Sequence, residues 1–404
     1  MRLLELPGDE LALIVPWAAG EALDQGHAGR AWPVDEALAI GWRLAESLGK
    51  LHTRGVCHGD VQPSNVVVGD EGPALIDLGA AWRPASEAPS EEAWGRAGYL
   101  APERIDGQGG GPASDVFSLG CVLVEMMTGE PPFGRDGAAA LGRTLLGERT
   151  PLASLPAFVR EVLDRMLARE VDARPGDGEA AASLLAGAAR QAFVLAQTAP
   201  VRPAFVPEVT LLGATEVTPL WHATESWLQR RGIEPPFWAF AWAGGQALAR
   251  CVLDQPGLVR GRRVVDLACG GGLVAIAAAL AGASRVEALD IDPLAVVACR
   301  LNAARNAVAV TARADDVVGQ SLAGVDVLLA GDVFYDAAIS ARLWPWLRAV
   351  AASGVQVLVG DPGRAYAPTE GVIERARYEV PTPLDLEGIT HRTALVLEVI
   401  GQSS

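Results

Sequence analysis

Asp266 and Asp290 bracket the stretch of the chain best suited to holding a nucleotide. Residues 263–267 read as a buried strand, Ala268-Cys-Gly-Gly-Gly272 as a tight turn, and the apolar run from Leu273 as a helix. Glycines in such a turn let backbone N–H groups approach a ligand without interference from a Cβ. Eighteen residues beyond Gly272 (290 − 272) a second strand, residues 285–290, ends in Asp290, where a carboxylate would take a pair of ribose hydroxyls. The glycines alone fit a dinucleotide equally well.

A second set lies upstream: Asp60 and Asn65 in His58-Gly-Asp-Val-Gln-Pro-Ser-Asn65, then Asp77-Leu-Gly79, Ala101-Pro-Glu103 and Arg174. One carboxylate to accept a hydroxyl proton, and an amide and a second carboxylate to hold magnesium, are the side chains of phosphoryl transfer. In this order and spacing, with Ser114-Asp-Val-Phe-Ser-Leu-Gly120 and Gly129-Glu-Pro-Pro-Phe133, they resemble the C-terminal lobe of a Ser/Thr protein kinase. The resemblance makes Asp60 the base, Asn65 and Asp77 the magnesium ligands, and Glu103 with Arg174 a structural ion pair. Departures are plain. Gly59 stands for the arginine of H-R-D, and Gln62 for the lysine two residues after the Asp. No glycine-rich loop precedes residue 50, and Lys50, the only lysine in the chain, lies in the helix before His58. The expectation is a degenerate lobe without phosphoryl transfer, so that Mg-ATP would be a cofactor only if the lobe were functional. Two alternatives stay open: an active kinase whose upstream lobe a misplaced start codon has removed, or a non-catalytic interaction module.

The downstream set goes further. Asp290-Ile-Asp-Pro293 with Asn302, then Ala314-Asp315-Asp316, then residues 325–332 ending in Asp332, resemble the successive motifs of class I S-adenosylmethionine-dependent methyltransferases. Ala268 replaces the first glycine usual there, leaving Gly270 and Gly272. The resemblance implies that Asp266 and the glycine turn orient the amino-acid part of the cofactor, that Asp290 takes the ribose, and that Asp315 lies at the adenine edge. Over residues 207–400 the likeness narrows. The string from Pro235 to Arg250, Gly331-Asp-Val-Phe-Tyr-Asp336 and Gly360-Asp-Pro-Gly-Arg364 are similar to the lysine methyltransferases of the electron-transfer-flavoprotein β-subunit. Bacterial relatives of these are often labelled ribosomal-protein methyltransferases. The implied partner is a protein bearing a target lysine, either that β-subunit or a ribosomal protein. Asp332 is expected against the incoming lysine, which must lose a proton before it attacks the methyl carbon. Tyr335 would shape the channel, Trp238 and Trp242 would face the sulfonium or the substrate cation, and Asp361 and Arg364 would lie in a loop beyond a strand end.

The elements that must position these residues divide the chain. Residues 1–195 read as a hairpin followed by helices near 34–52, 115–127, 157–169 and 179–194. A proline-rich linker is expected at 196–206, because proline withholds a donor and resists helix. Residues 207–404 alternate buried strands with helices, the pattern of a parallel sheet with crossovers. The predicted fold is a seven-stranded, doubly wound, Rossmann-like α/β methyltransferase preceded by a mainly α-helical kinase C-lobe. A net charge of −16 offers no basic surface for nucleic acid or anionic lipid. Five scattered cysteines form no CxxC pair, and neither a signal peptide nor a membrane-length apolar run is present, so a cytoplasmic location follows by elimination.

Overall fold

In a computed structural model the chain divides into two compact units, Met1–Ala192 and Phe193–Ser404. The structure describes residues 2–6, 10–14, 18–26, 30–84, 96–216, 218, 220, 234–384 and 388–401, the first two stretches as backbone only.

In the first unit the strands Arg2–Leu6 and Glu10–Ile14 pair antiparallel. Helices Val34–His52, Pro112–Thr128, Ala157–Met166 and Gly178–Gln197 follow. Pro112–Thr128 is buried on nearly every face and forms the centre of the core, with Leu38, Leu44, Leu163 and Leu185 around it. A helix apolar all round has to be surrounded.

The second unit is built on a seven-stranded sheet. Its strands are β1 (Arg263–Leu267), β2 (Arg285–Asp290), β3 (Thr311–Ala314), β4 (Val327–Gly331), β5 (Gln356–Asp361), β6 (Val372–Pro381) and β7 (His391–Val399). The order across the sheet is β3-β2-β1-β4-β5-β7-β6, parallel except for β7, which runs antiparallel to both neighbours. Alternation along the strands divides the core. Val264, Val327 and Leu329 pack with helices α1 (Ala243–Asp254), α2 (Leu273–Leu280) and α3 (Pro293–Arg305). Val265, Leu328 and Ala330 pack with α4 (Ala337–Ala352) on the opposite face. A sheet covered on both sides explains why β1, β4 and β5 are almost continuously apolar. Asp292 caps α3 by accepting from Leu294 N at 2.8 Å, and Asp336 caps α4 from Ala338 N and Ile339 N. No helix among the described residues is long and apolar enough to cross a membrane.

The proline-rich stretch carries regular structure. Ala199–Val201 forms an antiparallel ribbon with Leu211–Gly213, and Val206 is fully buried. Two asparagines one helical turn apart, Asn302 in α3 and Asn306 just past its end, hold it. Asn302 Oδ1 accepts from Leu212 N at 2.7 Å, and Asn306 accepts from Thr210 N while donating to Thr210 O. The ribbon's second strand is thus anchored by side-chain amides from a distant helix.

Ala268, at the position of the missing glycine, adopts φ +53°. The left-handed region brings Cβ against the carbonyl and costs a non-glycine residue about 1–2 kcal/mol. Ala268→Gly is therefore expected to stabilise the fold by about 0.5–1 kcal/mol after the added chain entropy of glycine. Thermal unfolding should show a rise of about 1–3 °C; an unchanged or lower midpoint would refute the strain.

Candidate active site

The strand order reverses between β1 and β4, and in an open α/β sheet the crevice beyond the strands' carboxyl ends at that reversal is where ligands bind. The acids gather there. Asp266, on β1, is 1% exposed, and its carboxylate accepts from Ala275 N in the first turn of α2 at 2.9 Å. Burial, with the nearby charge of Asp290, pushes its pKa up to about 8. Asp290, at the end of β2, accepts from Gly270 N at 2.9 Å and from Asp292 N at 3.0 Å, tying the glycine turn to the neighbouring strand. Its pKa too is raised by burial. Asp315 follows β3, its backbone N–H bonded to Asp290 O at 2.9 Å and its side chain paired with Arg313.

The turn needs its glycines for space as much as for φ. Gly270 and Gly272 have φ of +50° and +84°. A Cβ on Gly271 would stand 2.8 Å from Trp238 O, and one on Gly272 2.6 Å from Cys299 Sγ. Buried Asn302 closes the arrangement by donating to Gly271 O at 2.8 Å.

A second cluster lies beyond β4 and β5. Asp332 holds φ +56°, and Asp is among the few side chains that tolerate this region. Its Oδ2 accepts from Gly245 N at the amino end of α1 at 2.6 Å, and its Oδ1 faces Arg364 Nη2 at 3.3 Å. Burial outweighs these two stabilising contacts and raises its pKa to about 6, with Asp361 adding to the rise. Asp361 Oδ1 accepts from Gly363 N and Arg364 N at 2.7 and 2.8 Å, while its Oδ2 is buried without a partner among the described residues. The helix reaches the strand ends because glycines meet there. A Cβ on Gly360 would lie 2.1 Å from Gly244 O, and one on Gly331 2.8 Å from Gly245 Cα. Sequence reasoning assigned nothing to these four glycines. Their only signal is that Gly331 and Gly360 each stand at or next to the end of a parallel strand.

The aromatics separate. Trp238, expected to face a cation, is a core side chain packed with Leu212, Ala239, Ala295 and Ala298. Only its backbone lies against the glycine turn, and its indole nitrogen has no partner among the described residues. Trp242 caps α1, donates to Phe237 O at 2.9 Å, and lies under the Arg364 guanidinium with 5.7 Å between Cζ and the ring centre. It thus belongs with Asp332 and not with the glycine turn. Tyr335 is half exposed, its ring 5.7 Å from that of Phe237. Burial and the charge of Asp290 raise its pKa.

In the first unit, Asp115 accepts from His58 N at 2.7 Å, Gly59 N at 2.9 Å and His52 Nε2 at 3.0 Å, fixing the loop that carries Asp60. Asp60 Oδ2 accepts from Gln62 Nε2 at 2.6 Å and from Asn65 Nδ2 at 2.8 Å. Asp77 is exposed, with φ +63° and its carboxylate bonded to Gly79 N. Gly59 itself has φ +81°, and a Cβ there would stand 2.4 Å from Ala80 O, so an arginine does not fit this loop. Arg174 and Glu103 form the expected ion pair.

The comparisons agree with this division. The protein kinase domain family matches residues 7–185, and the ribosomal protein L11 methyltransferase family matches residues 248–333. The chain is 38% identical over 150 residues to a probable serine/threonine-protein kinase of Thermomonospora curvata, covering 36% of this chain and 20% of that protein. It is 44% identical over 162 residues to the electron transfer flavoprotein beta subunit lysine methyltransferase of Danio rerio, covering 39% of this chain and 61% of the relative. With the Xenopus laevis protein of the same description it shares 41% over 180 residues, covering 43% of this chain and 71% of the relative. Alongside a stretch similar to the protein kinase domain family, the chain therefore belongs to the family of the electron transfer flavoprotein beta subunit lysine methyltransferases.

Proposed function

We propose that the protein transfers a methyl group from S-adenosylmethionine to the ε-amine of a lysine on a protein substrate. The observation that carries this reading is the charge of the crevice. Asp266 is buried and Asp290 part-buried beside the glycine turn, and burial raises the pKa of each. A ligand with an ammonium and a sulfonium would favour the ionised form of both acids and offset their desolvation, which a pyrophosphate would not do. Asp266 would face the ammonium, Asp290 the ribose and Asp315 the adenine edge. When bound, the cofactor supplies a methyl carbon attached to a positively charged sulfur. The chain's part is to orient the amine, exclude water, and receive the amine's proton at Asp332.

Calorimetry tests the cofactor. S-adenosylmethionine should bind in the micromolar range, about −8 kcal/mol. Asp290→Ala should lose about 1–3 kcal/mol of that, through hydrogen bonds to a charged group. Preferential binding of NAD would end the reading. The β-subunit of electron transfer flavoprotein and ribosomal protein L11 are the first acceptors to try with labelled cofactor, since both appear in the descriptions of related proteins. We place the reaction in the cytoplasm.

For the first unit we propose a kinase-like lobe that serves as a scaffold, Asp60, Asn65 and Asp77 being relics of a magnesium site. Asp60 is bridged by the neutral amide of Gln62, where the kinase pattern has a lysine. No ammonium is thus supplied to the transferring phosphate from the loop. Residues 1–404 should transfer no label from γ-labelled ATP to generic acceptors in the presence of magnesium. Transfer that Asp60→Ala abolishes would make the protein a two-activity enzyme.

A further inference from the structure

Asp332 and Asp361 leave neighbouring strands at the same edge of the sheet. Gly331 on β4 is in register with Gly360 on β5, and Asp332 N donates to Gly360 O at 2.9 Å. Asp361 is 1% exposed and the Asp332 side chain 9%. Neighbouring strands lie about 4.8 Å apart, so the two carboxylates act on each other through protein and not through bulk water. Arg364, from the turn after β5, acts on both, and α1 presents to Asp332 the backbone of Gly244 and Gly245. The turn does not account for the charge of Asp361. Its Oδ1 accepts from Gly363 N and Arg364 N, a task that the oxygen of an asparagine performs equally well. Its Oδ2 is buried without a partner among the described residues, and burying that charge is a cost that an amide would not carry.

We infer that Asp361 is a positioning residue that acts through Asp332: its charge draws the lysine ammonium to Asp332 and favours handover of the proton there. The inference rests on the lysine reading above. Two carboxylates in one site repel each other, and a proton taken by one relieves both. In the handover one N–H bond of the ε-ammonium breaks and one O–H bond forms on Asp332. The amine is left neutral, with its lone pair free to attack. Asp361 forms no bond in this step. It makes Asp332 the stronger base, and a stronger base takes the proton of an ammonium less steeply uphill.

A charge role and a turn role predict different results for Asp361→Asn, which keeps the acceptor for Gly363 N and Arg364 N and removes only the charge. Carboxyl-detected NMR of the full chain, carrying isotope-labelled aspartate, reads the titration of Asp332 with no substrate present. The Asp332 midpoint, near pH 6 in the wild type, should fall by about half to one pH unit in Asp361→Asn. Coupling is reciprocal, so Asp332→Asn should lower the Asp361 midpoint by the same amount, even where the Asp361 variant fails to fold. Methyl transfer is then read on whichever of the electron transfer flavoprotein β-subunit and ribosomal protein L11 the wild type labels. In Asp361→Asn the acid limb of kcat/KM should move down with the midpoint, and kcat/KM at pH 8 should fall about three- to tenfold. Its S-adenosylmethionine affinity should match the wild type's. Midpoints unmoved in both variants overturn the inference and leave Asp361 to the turn alone. A moved midpoint with an unchanged rate profile overturns it too, because the charge would then not serve the reaction. Absence of S-adenosylmethionine binding by the wild type would instead fail the methyltransferase reading, and the midpoints, which need no substrate, keep the two failures apart.

Discussion

Asp332→Asn is expected to reduce methyl transfer by about 10²- to 10⁴-fold, the range for loss of a positioned general base. S-adenosylmethionine affinity should change less than twofold. Asparagine keeps an oxygen for Gly245 N and keeps the shape of the turn, so geometry alone does not account for the loss. The wild type should show an acid limb in its rate profile near pH 6, where burial has placed the Asp332 carboxyl. The sign is fixed: the ionised form accepts the amine's proton, so the rate falls as pH drops through that value. In Asp332→Asn this limb should vanish, leaving only the slope that the substrate amine itself imposes. Stability gives a second check. A carboxyl whose folded pKa is raised from 3.8 contributes stability below that value and loses it as pH rises through about 6. At pH 8 the ionised group is a cost, and the neutral amide should leave the thermal midpoint no lower than the wild type's. An unchanged rate would remove Asp332 from the chemistry. Parallel loss of cofactor binding would assign it to the cofactor pocket.

The division of labour between the two acidic clusters explains why one was easier to read than the other. The glycine turn and Asp290 are local features of strand, turn and helix, and the motif sits where its spacing suggests, with Gly270 N bonded to Asp290. Even the departure at Ala268 is a local fact, since the φ required there can be met at a cost by a residue with a small side chain. Asp332 was visible as a motif, but its environment was not. The N–H that holds it belongs to Gly245, 87 residues earlier, and helix and strand approach only because glycines from both face each other. The order within the proline-rich stretch was hidden for the same reason. Proline counts against regular structure through its own missing donor, while the bonds that order the ribbon come from Asn302 and Asn306, 90 and 96 positions away. The tryptophans show a different limit. A core and a cation site both call for a large aromatic, and only packing tells them apart. Trp238 falls to the core, and Trp242 to the cluster of Asp332 and Arg364.

Arg174→Ala should cost the first unit about 3–5 kcal/mol, the range for stripping one partner from a buried ion pair. The Arg174 side chain is fully buried and holds five hydrogen bonds. Two reach Glu103 at 2.9 and 3.0 Å, and three reach the carbonyls of Ala168, Ala113 and Arg169; the guanidinium also lies 4.8 Å from the Phe117 ring centre. Burial alone would raise the pKa of Glu103, but the bonds from Arg174 and Ser114 outweigh it and hold the carboxyl below its usual value. The stability this supplies is present above the unfolded-state pKa and lost as pH falls through the folded one. The first unit should therefore lose stability on acidification, and the Arg174→Ala variant should show a flatter pH dependence. Denaturant unfolding followed by circular dichroism would show an early transition from the first unit, with the second unit's transition unmoved. Lysine is not an adequate replacement, because a single ammonium cannot span a bidentate carboxylate and carbonyls on two sides of it. Nor should the apolar pair Glu103→Leu/Arg174→Met restore what is lost, although buried pairs elsewhere often tolerate such exchange. The part-buried carbonyls of Ala168 and Arg169 would then lose their donors, each costing about 0.5–1.5 kcal/mol. Full recovery in the double variant would show that the carbonyl bonds carry no weight and that the pair alone set the cost.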